Sequence, residues 1–310
     1  KESNEDNLKQ LKSLINLNNS LYQNIFSMKN INIFKQDSFY VTSVPINSEQ
    51  KYLLLSPDNN YTIDKYGNKQ TKNVNESIDD TIIFNGYLID DNYYIIDILY
   101  YNEKLDKLNF DSKRDLLDQL NYEYFFSNDN IFISDFKNDI IKSSSDLILE
   151  NEIKLIFIPK TMDTHKYYLE WDKNLIIEKS VVLQVIKKES IVNHYSLGYD
   201  NIPIKNIGVN LNDIKISKKF RSVNEINEKD YIEFNVKYNL DTKELQRHFL
   251  EPIKKTSKTL SLTDTSIKLS LIFNPIKESF FTDYIIDGVH YWETNYESLK
   301  SNGEDNPLIN

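Results

Sequence analysis

Ile153-Lys154-Leu155-Ile156-Phe157-Ile158-Pro159, followed by Leu169-Glu170-Trp171-Asp172, is the stretch on which the fold of this chain turns. Lys154 to Ile158 is a short β-branched and aromatic run stopped by a proline, and it predicts a strand. Tyr167 to Trp171 predicts another. Working back toward the N-terminus, Leu147 to Leu149 predicts a strand, and Ser112 to Leu120 a helix with Ser or Asp as its N-cap. Before them Thr81 to Phe84, Tyr87 to Asp90 and Tyr93 to Leu99 form a strand series that turns at Asp90-Asp91-Asn92. Phe39 to Pro45, Lys51 to Leu55 and Tyr61 to Asp64 predict three more strands, with turns at Pro57-Asp58-Asn59-Asn60 and Tyr66-Gly67-Asn68. From about Asn7 to Met28 the apolar spacing is helical, with an Asn-rich break near Asn18. Past Ile176 the texture is β: Ile176 to Lys187, Ile202 to Ile207 and Tyr231 to Tyr238, then a helix over Ser261 to Phe273. The tail Ser301 to Asn310 is expected to be disordered.

Composition bounds what such a chain does. Its 310 residues suffice for one large or two modest domains. There is no cysteine, so disulfides and thiolate metal sites are excluded. No apolar run approaches the ~20 residues of a membrane span, and the polar opening Lys1 to Gln10 has no secretory pattern. The net charge is −10 and the sequence pI about 5.1. A sequence-independent nucleic-acid binder carries a net basic surface, so contact with RNA needs a local patch or a partner. Alanine is absent and glycine occurs only six times, while Asn, Lys, Ile, Asp and Tyr abound. That bias fits an AT-rich genome, such as a virus, a linear plasmid or a protozoan.

Several kinds of chemistry lack their motifs. No G-x-G-x-x-G and no G-x-x-x-x-G-K-[ST] occurs, nor a G-x-S-x-G elbow. His165, His194, His248 and His290 are scattered, and metal sites need clustered ligands, so surface or structural roles are expected. Asp79-Asp80 and Asp90-Asp91 read as solvated turns, with a divalent-metal role as the alternative. Lys166-Tyr167-Tyr168 interleaves a cation with aromatics, the pattern of a base-stacking platform.

The ordered set of segments resembles the mRNA-capping guanylyltransferases, in the covalent nucleotidyltransferase superfamily shared with DNA and RNA ligases. In that family a strand leads into K-x-D-G, whose lysine takes the nucleotide; here the strand is Phe39 to Val44. Lys51-Tyr52-Leu53-Leu54-Leu55 and Tyr61-Thr62-Ile63-Asp64-Lys65 match the following strand and its I-D-R turn. Phe84-Asn85-Gly86-Tyr87-Leu88 matches F-D-G-E-L, and Asp97-Ile98-Leu99 matches D-I-L. Arg114-Asp115-Leu116-Leu117 matches R-x-x-L-L. The opening stretch matches D-G-L-I-F-x-P and L-K-W-K, the hallmarks that separate capping enzymes from ligases. Further on, Asp230 to Phe234 resembles an OB-domain strand. Glu251-Pro252-Ile253-Lys254-Lys255 stands at R-x-D-K, and Ile272 to Ile276 resembles the family's closing segment.

The apolar frame is kept while the polar positions are replaced. The chemistry needs a lysine that attacks the α-phosphate of GTP, and the aligned positions hold Val44 or Ile46. Lys35, in Lys35-Gln36-Asp37-Ser38, mimics K-x-D-G but precedes the strand. The aspartate and glutamate of the third element are Asn85 and Tyr87, and the aspartate–glycine pair of the fourth is Ile153-Lys154. The two phosphate-holding lysines of the fifth are Glu170 and Asp172. One charge pair at ~4 Å and an effective dielectric near 20 is worth about 4 kcal/mol, so two reversed charges would repel a triphosphate.

The resemblance implies an α+β nucleotidyltransferase-like domain of antiparallel sheets with flanking helices over residues 1–175, an OB-fold β-barrel over 176–262, and residues 263–300 packing back on the first domain. It implies no catalytic, nucleotide-binding or metal-binding residues and no cofactor. The expected function is a non-catalytic scaffold in a capping or transcription assembly, bound to a protein partner of a capping or RNA polymerase complex. The acidic balance favours a partner with a basic face. Two alternatives stand: an active guanylyltransferase using GTP and Mg²⁺ through Lys35 or Lys51, and a module that binds RNA 5′ ends or single strands on its OB face. The expected location is the cytoplasm or a viral factory within it, with the nucleus as the alternative. Neither a membrane nor a structural metal is expected.

Overall fold

A computed structural model describes residues 3–17, 20–27, 29–30, 38–75, 77–150, 152–161, 164–205, 207, 209–238 and 248–282. The chain divides into two compact units, Lys1–Asn19 with Lys35–Asn174, and Ser20–Phe34 with Leu175–Asn310.

The first unit opens with α1 (Asn4–Leu14), capped by Ser3. The Ser3 hydroxyl accepts from the Asp6 N–H at 3.2 Å while the Asp6 carboxylate accepts from the Ser3 N–H at 3.4 Å, a reciprocal capping box. The helix stops at Leu14, earlier than the apolar spacing predicts, with Ile15 as an extended C-cap whose N–H donates to the Leu11 carbonyl. The strands are β1 (Phe39–Pro45), β2 (Glu49–Leu55), β3 (Tyr61–Ile63), β4 (Lys69–Thr71), β5 (Ile82–Ile89) and β6 (Asn92–Tyr101). They are followed by α2 (Phe110–Tyr124), β7 (Ile131–Ile133), α3 (Ile140–Glu150), β8 (Ile153–Pro159), α4 (Thr164–Tyr167) and β9 (Leu169–Trp171). Leu147 to Leu149, expected as a strand, lies inside α3. Ile140, Ser144 and Ile148, each four residues apart, are buried on one face, so the helical period over the longer window outweighs a three-residue β run.

Two sheets result, β1-β8-β9 and β4-β3-β2-β5-β6-β7. All pairings are antiparallel except β6 with β7. Alternation sorts the larger sheet into two faces. Leu53, Leu55, Phe84 and Leu88 pack with Leu117 and Leu120 of α2, while Tyr52, Leu54 and Ile83 pack with Leu11 and Ile15. Tyr87 and Ile96 meet Tyr40, Val44, Ile156 and Ile158 of the smaller sheet, so an apolar core joins the two sheets. Gly86 allows β5 to lie this close to β6: a Cβ there would stand 2.3 Å from the Tyr94 carbonyl oxygen and 2.8 Å from the Tyr93 ring.

The second unit contains β10 (Ser180–Lys188), β11 (His194–Tyr199), β12 (Ile202–Pro203), β13 (Ile214–Lys215), α5 (Lys218–Val223), β14 (Tyr231–Tyr238), β15 (His248–Thr256), α6 (Leu262–Phe273) and α7 (Ser279–Thr282). Its sheet runs β12-β11-β10-β14-β15, with β13 also on β11. Among the described residues no pairing closes this sheet into a ring, so the expected OB barrel is met only as an open antiparallel sheet. The expected strand Ile202 to Ile207 is reduced to β12. Leu269 of α6 packs into the core with Leu183, Leu197, Ile232 and Phe234. The described residues of α6 and α7 cluster with this unit. The N-terminal segment joins them: the Tyr22 N–H donates to Asp264 Oδ1 at 3.0 Å, and the Phe26 ring centroid lies 5.9 Å from that of Phe280. No helix among the described residues is long and apolar enough to cross a membrane. Residues 301–310 lie outside the described residues.

Candidate functional site

Strand register assembles one polar cluster from residues far apart in sequence. Val44 pairs with Lys154 and Ile156 with Glu170, and side chains of paired residues share a face. Lys154, Glu170 and, two residues on, Asp172 therefore point the same way, beside Val44. From the other sheet Gln50 pairs with Tyr87 and Tyr52 with Asn85.

Most polar groups of the cluster pair with one another, while the buried Asn85 Nδ2 has no hydrogen-bond partner among the described residues. The Tyr87 O–H donates to the Glu170 carboxylate. Lys154 Nζ lies 3.6 Å from Glu170 Oε1 and 3.9 Å from Asp172 Oδ2, and donates to the Ser48 carbonyl at 2.8 Å. The ammonium also sits 5.6 Å from the Tyr87 ring centroid. Gln50 Nε2 donates to Asn85 Oδ1 at 2.6 Å. The Lys154, Glu170 and Asp172 side chains are 13%, 19% and 11% exposed. Burial, and after it the charge of Glu170, pushes the Tyr87 phenol well above its ordinary value, so at neutral pH it is a proton donor. Burial raises the Tyr168 phenol in the same way.

Of the positions aligned with catalytic residues, the structure brings Asn85, Tyr87, Lys154, Glu170 and Asp172 together. Val44 is buried in the apolar core and Ile46 is buried after β1. Ile153, opposite Pro45, is half-buried. Lys51 pairs with Gly86, so its side chain lies on the face of Leu53 and Phe84, opposite to that of Tyr87. It is 3.5 Å from Glu49. Lys35 lies outside the described residues.

Other candidates resolve into structural roles. Tyr168 is 7% exposed, so it offers no open face for stacking a base. His165 is buried, its Nε2 3.3 Å from the Tyr52 hydroxyl, and His194 Nδ1 is 2.7 Å from Asp213. Asp80 accepts from Asn102 Nδ2 at 2.6 Å and from the Tyr101 and Tyr124 hydroxyls at 3.1 and 3.0 Å; these bonds, Asn102 foremost, hold its carboxyl below the usual range. Asp91 pairs with Lys72 at 2.9 Å. Among the described residues no three His, Asp or Glu side chains converge as metal ligands would.

Sequence reasoning missed the most buried charges. Lys113 Nζ lies 3.1 and 3.3 Å from the two Asp97 carboxylate oxygens, and both side chains are 2% exposed. Beside them is a cavity of about 30 Å³ lined by Ile15, Leu99, Lys113 and His165, room for about one water. The only signal was an aspartate inside an otherwise apolar strand, Tyr94 to Leu99.

No protein-family model matches the chain, and no curated relative is found. Solved structures similar to it include a mycobacterial DNA ligase D complexed with ATP and MES, at 9% identity and a TM-score of 0.37, covering 76% of this chain and 95% of that one. The ligase domain of M. tuberculosis LigD is similar at 10% identity and 0.35, covering 70% and 89%. Chlorella virus DNA ligase-adenylate is similar at 8% identity and 0.30, covering 75% and 97%. All three are DNA ligases, none is a capping enzyme, and likeness at this level transfers neither an activity nor a site to this chain.

Proposed function

We propose that this chain is a non-catalytic, guanylyltransferase-like scaffold that binds a protein partner in an mRNA capping or transcription assembly, of viral or plasmid type and acting in the cytoplasm. The observation that carries the reading is the closed cluster of Tyr87, Glu170, Lys154 and Asp172. At the positions aligned with phosphate-holding lysines stand two carboxylates. The one ammonium among them is already shared between those carboxylates and the Ser48 carbonyl. A triphosphate entering there would meet like charge, and it would have to displace bonds that are already made. GTP and Mg²⁺ do not fit these residues.

The RNA-binding alternative has less support. The lysines along β14, β15 and the residues just after them are ion-paired: Lys237 with Glu251, Lys254 with Glu233 at 3.3 Å, Lys255 with Asp230 at 2.7 Å and Lys258 with Asp200 at 3.1 Å. A phosphate backbone needs uncompensated cations.

The test is incubation with radiolabelled GTP, and separately ATP, with Mg²⁺, followed by denaturing electrophoresis beside an active capping enzyme and an active ligase. No retained label is expected. An acid-labile, alkali-stable label mapped to Lys35 or Lys51 would overturn the reading and favour the active-enzyme alternative.

A further inference from the structure

Helix α2 presents to solvent a face that weakens its own stability at three points. Asp111, Asp115, Asp118 and Tyr122 recur at alternating spacings of four and three residues. At 100° per residue they fall within an arc of about 60°. The face carries no exposed cation, because Lys113 is turned inward to Asp97 and Arg114 lies over the rings of Tyr40 and Phe136, at 5.0 and 5.9 Å. Asp111 accepts from the Tyr40 hydroxyl at 2.5 Å, whereas neither Asp115 nor Asp118 has an ion-pair partner among the described residues. The last turn, where the helix dipole favours cations, has none and carries Glu123.

The helix ends on two solvent-exposed aromatics. Tyr122 is 81% exposed and Phe125 56% exposed, and their ring centroids are 6.4 Å apart. Phe125 is the C-cap and holds a left-handed backbone, φ 48° and ψ 50°, a place where glycine or asparagine costs far less than a bulky side chain. An exposed aromatic in a strained position contributes nothing to the core. A second ring beside it makes a platform, and the aspartates one and two turns back supply negative charge along the approach.

We propose that this face of α2 is a docking surface for a basic segment of a protein partner, with arginines that pair with Asp115 and Asp118 and stack on Tyr122 and Phe125. Arginine fits better than lysine because its planar guanidinium both stacks on aromatic rings and pairs with carboxylates. Lys104 and Lys107, in the loop before the helix, lie in sequence ahead of its N-terminus, so the acidic run extends toward the aromatic end. The proposal holds whether or not the chain transfers a nucleotide, so its failure and that of the scaffold reading are separable.

The test is fluorescence anisotropy on the full chain with labelled peptides of nine arginines, nine lysines or nine glutamates. The arginine peptide is expected to bind. Asp115→Asn/Asp118→Asn and Tyr122→Ala/Phe125→Asn should each weaken it about tenfold, and the aromatic pair of changes should affect the lysine peptide less. Asp58→Asn/Asp79→Asn, an equal charge change at other exposed positions, should leave binding unchanged. Phe125→Asn alone should raise the melting temperature by about 2–4 °C, since asparagine tolerates the left-handed backbone, so lost binding would not reflect lost folding. No arginine binding, equal weakening by the control, or full binding by the aromatic variant would each overturn the proposal. So would a single-stranded RNA oligonucleotide that binds the parent chain and is lost with Tyr122→Ala/Phe125→Asn.

Discussion

The two units use the same lysine–carboxylate chemistry to different ends. In the first, Lys113 and Lys154 are enclosed: one pairs with Asp97 where both side chains are 2% exposed, the other lies beside Glu170 and Asp172 with its side chain 13% exposed. In the second, Lys237, Lys254 and Lys255 pair along the surface of an edge hairpin, with Lys237 and Glu251 about half exposed. Burial decides what each pair does. An enclosed ion loses its hydration, so its partner becomes obligatory and the geometry is fixed. An exposed pair keeps its water and is worth little; its effect is to cancel charge on a sheet edge that a free lysine row would have opened to phosphate.

The largest effect that sharpens this comparison is expected from Lys113→Met. It removes the ammonium beside the buried Asp97 carboxylate, and the loss should be about 3–5 kcal/mol by urea denaturation. Asp97→Leu/Lys113→Met should recover most of it, and a double variant no more stable than the single would show that the site needs charge for another reason. Next is Tyr87→Phe, which removes the donor to Glu170 from a fully buried ring. A loss of about 1–3 kcal/mol is expected from a bond to a charged acceptor, and none at all would mean that water replaces the phenol. Lys237→Gln on the surface ladder should cost about 0.2–1 kcal/mol at low salt, and the difference should fade toward ~1 M salt. A cost matching that of Lys113→Met would break the comparison.

The smallest effect concerns Asp80. Its folded-state carboxyl is held down, so its contribution is present above the ordinary carboxylate range and lost as pH falls through the depressed value. The urea midpoint of Asp80→Asn should therefore converge on that of the parent as pH falls below about 4. A difference that widens in acid would reverse the assignment.

Strand identity in the first unit was legible because period-2 alternation and β-branched runs are local signals. Phe39 to Pro45 was read to the residue, and Lys51 to Leu55 lacked only Glu49 and Gln50. The second unit was less legible. His248–Thr256 carries a proline and three charged residues, so it does not read as a strand. It is one only because it sits at an edge, where Pro252 falls at a register shift and costs no central hydrogen bond. Placement of residues 20–27 and of α6 was not legible either, since both depend on long-range contacts such as Tyr22 with Asp264.

The candidate site divides the same way. The residue types at Asn85, Tyr87, Glu170 and Asp172 are written in the sequence itself. That these converge, that Lys154 becomes the counter-ion of the two carboxylates and that Lys51 faces away from them follow from strand register, which no local pattern specifies. By itself the sequence determined the α+β class, most first-unit strands, the absence of thiol chemistry and the acidic balance, because composition and short-range periodicity act through neighbours along the chain. Only the tertiary structure decided the open sheet of the second unit, the Lys113–Asp97 pair, the convergence of Tyr87, Lys154, Glu170 and Asp172, and the bare aromatic end of α2. Pairing, burial and solvent exposure are properties of residues brought together from distant parts of the chain.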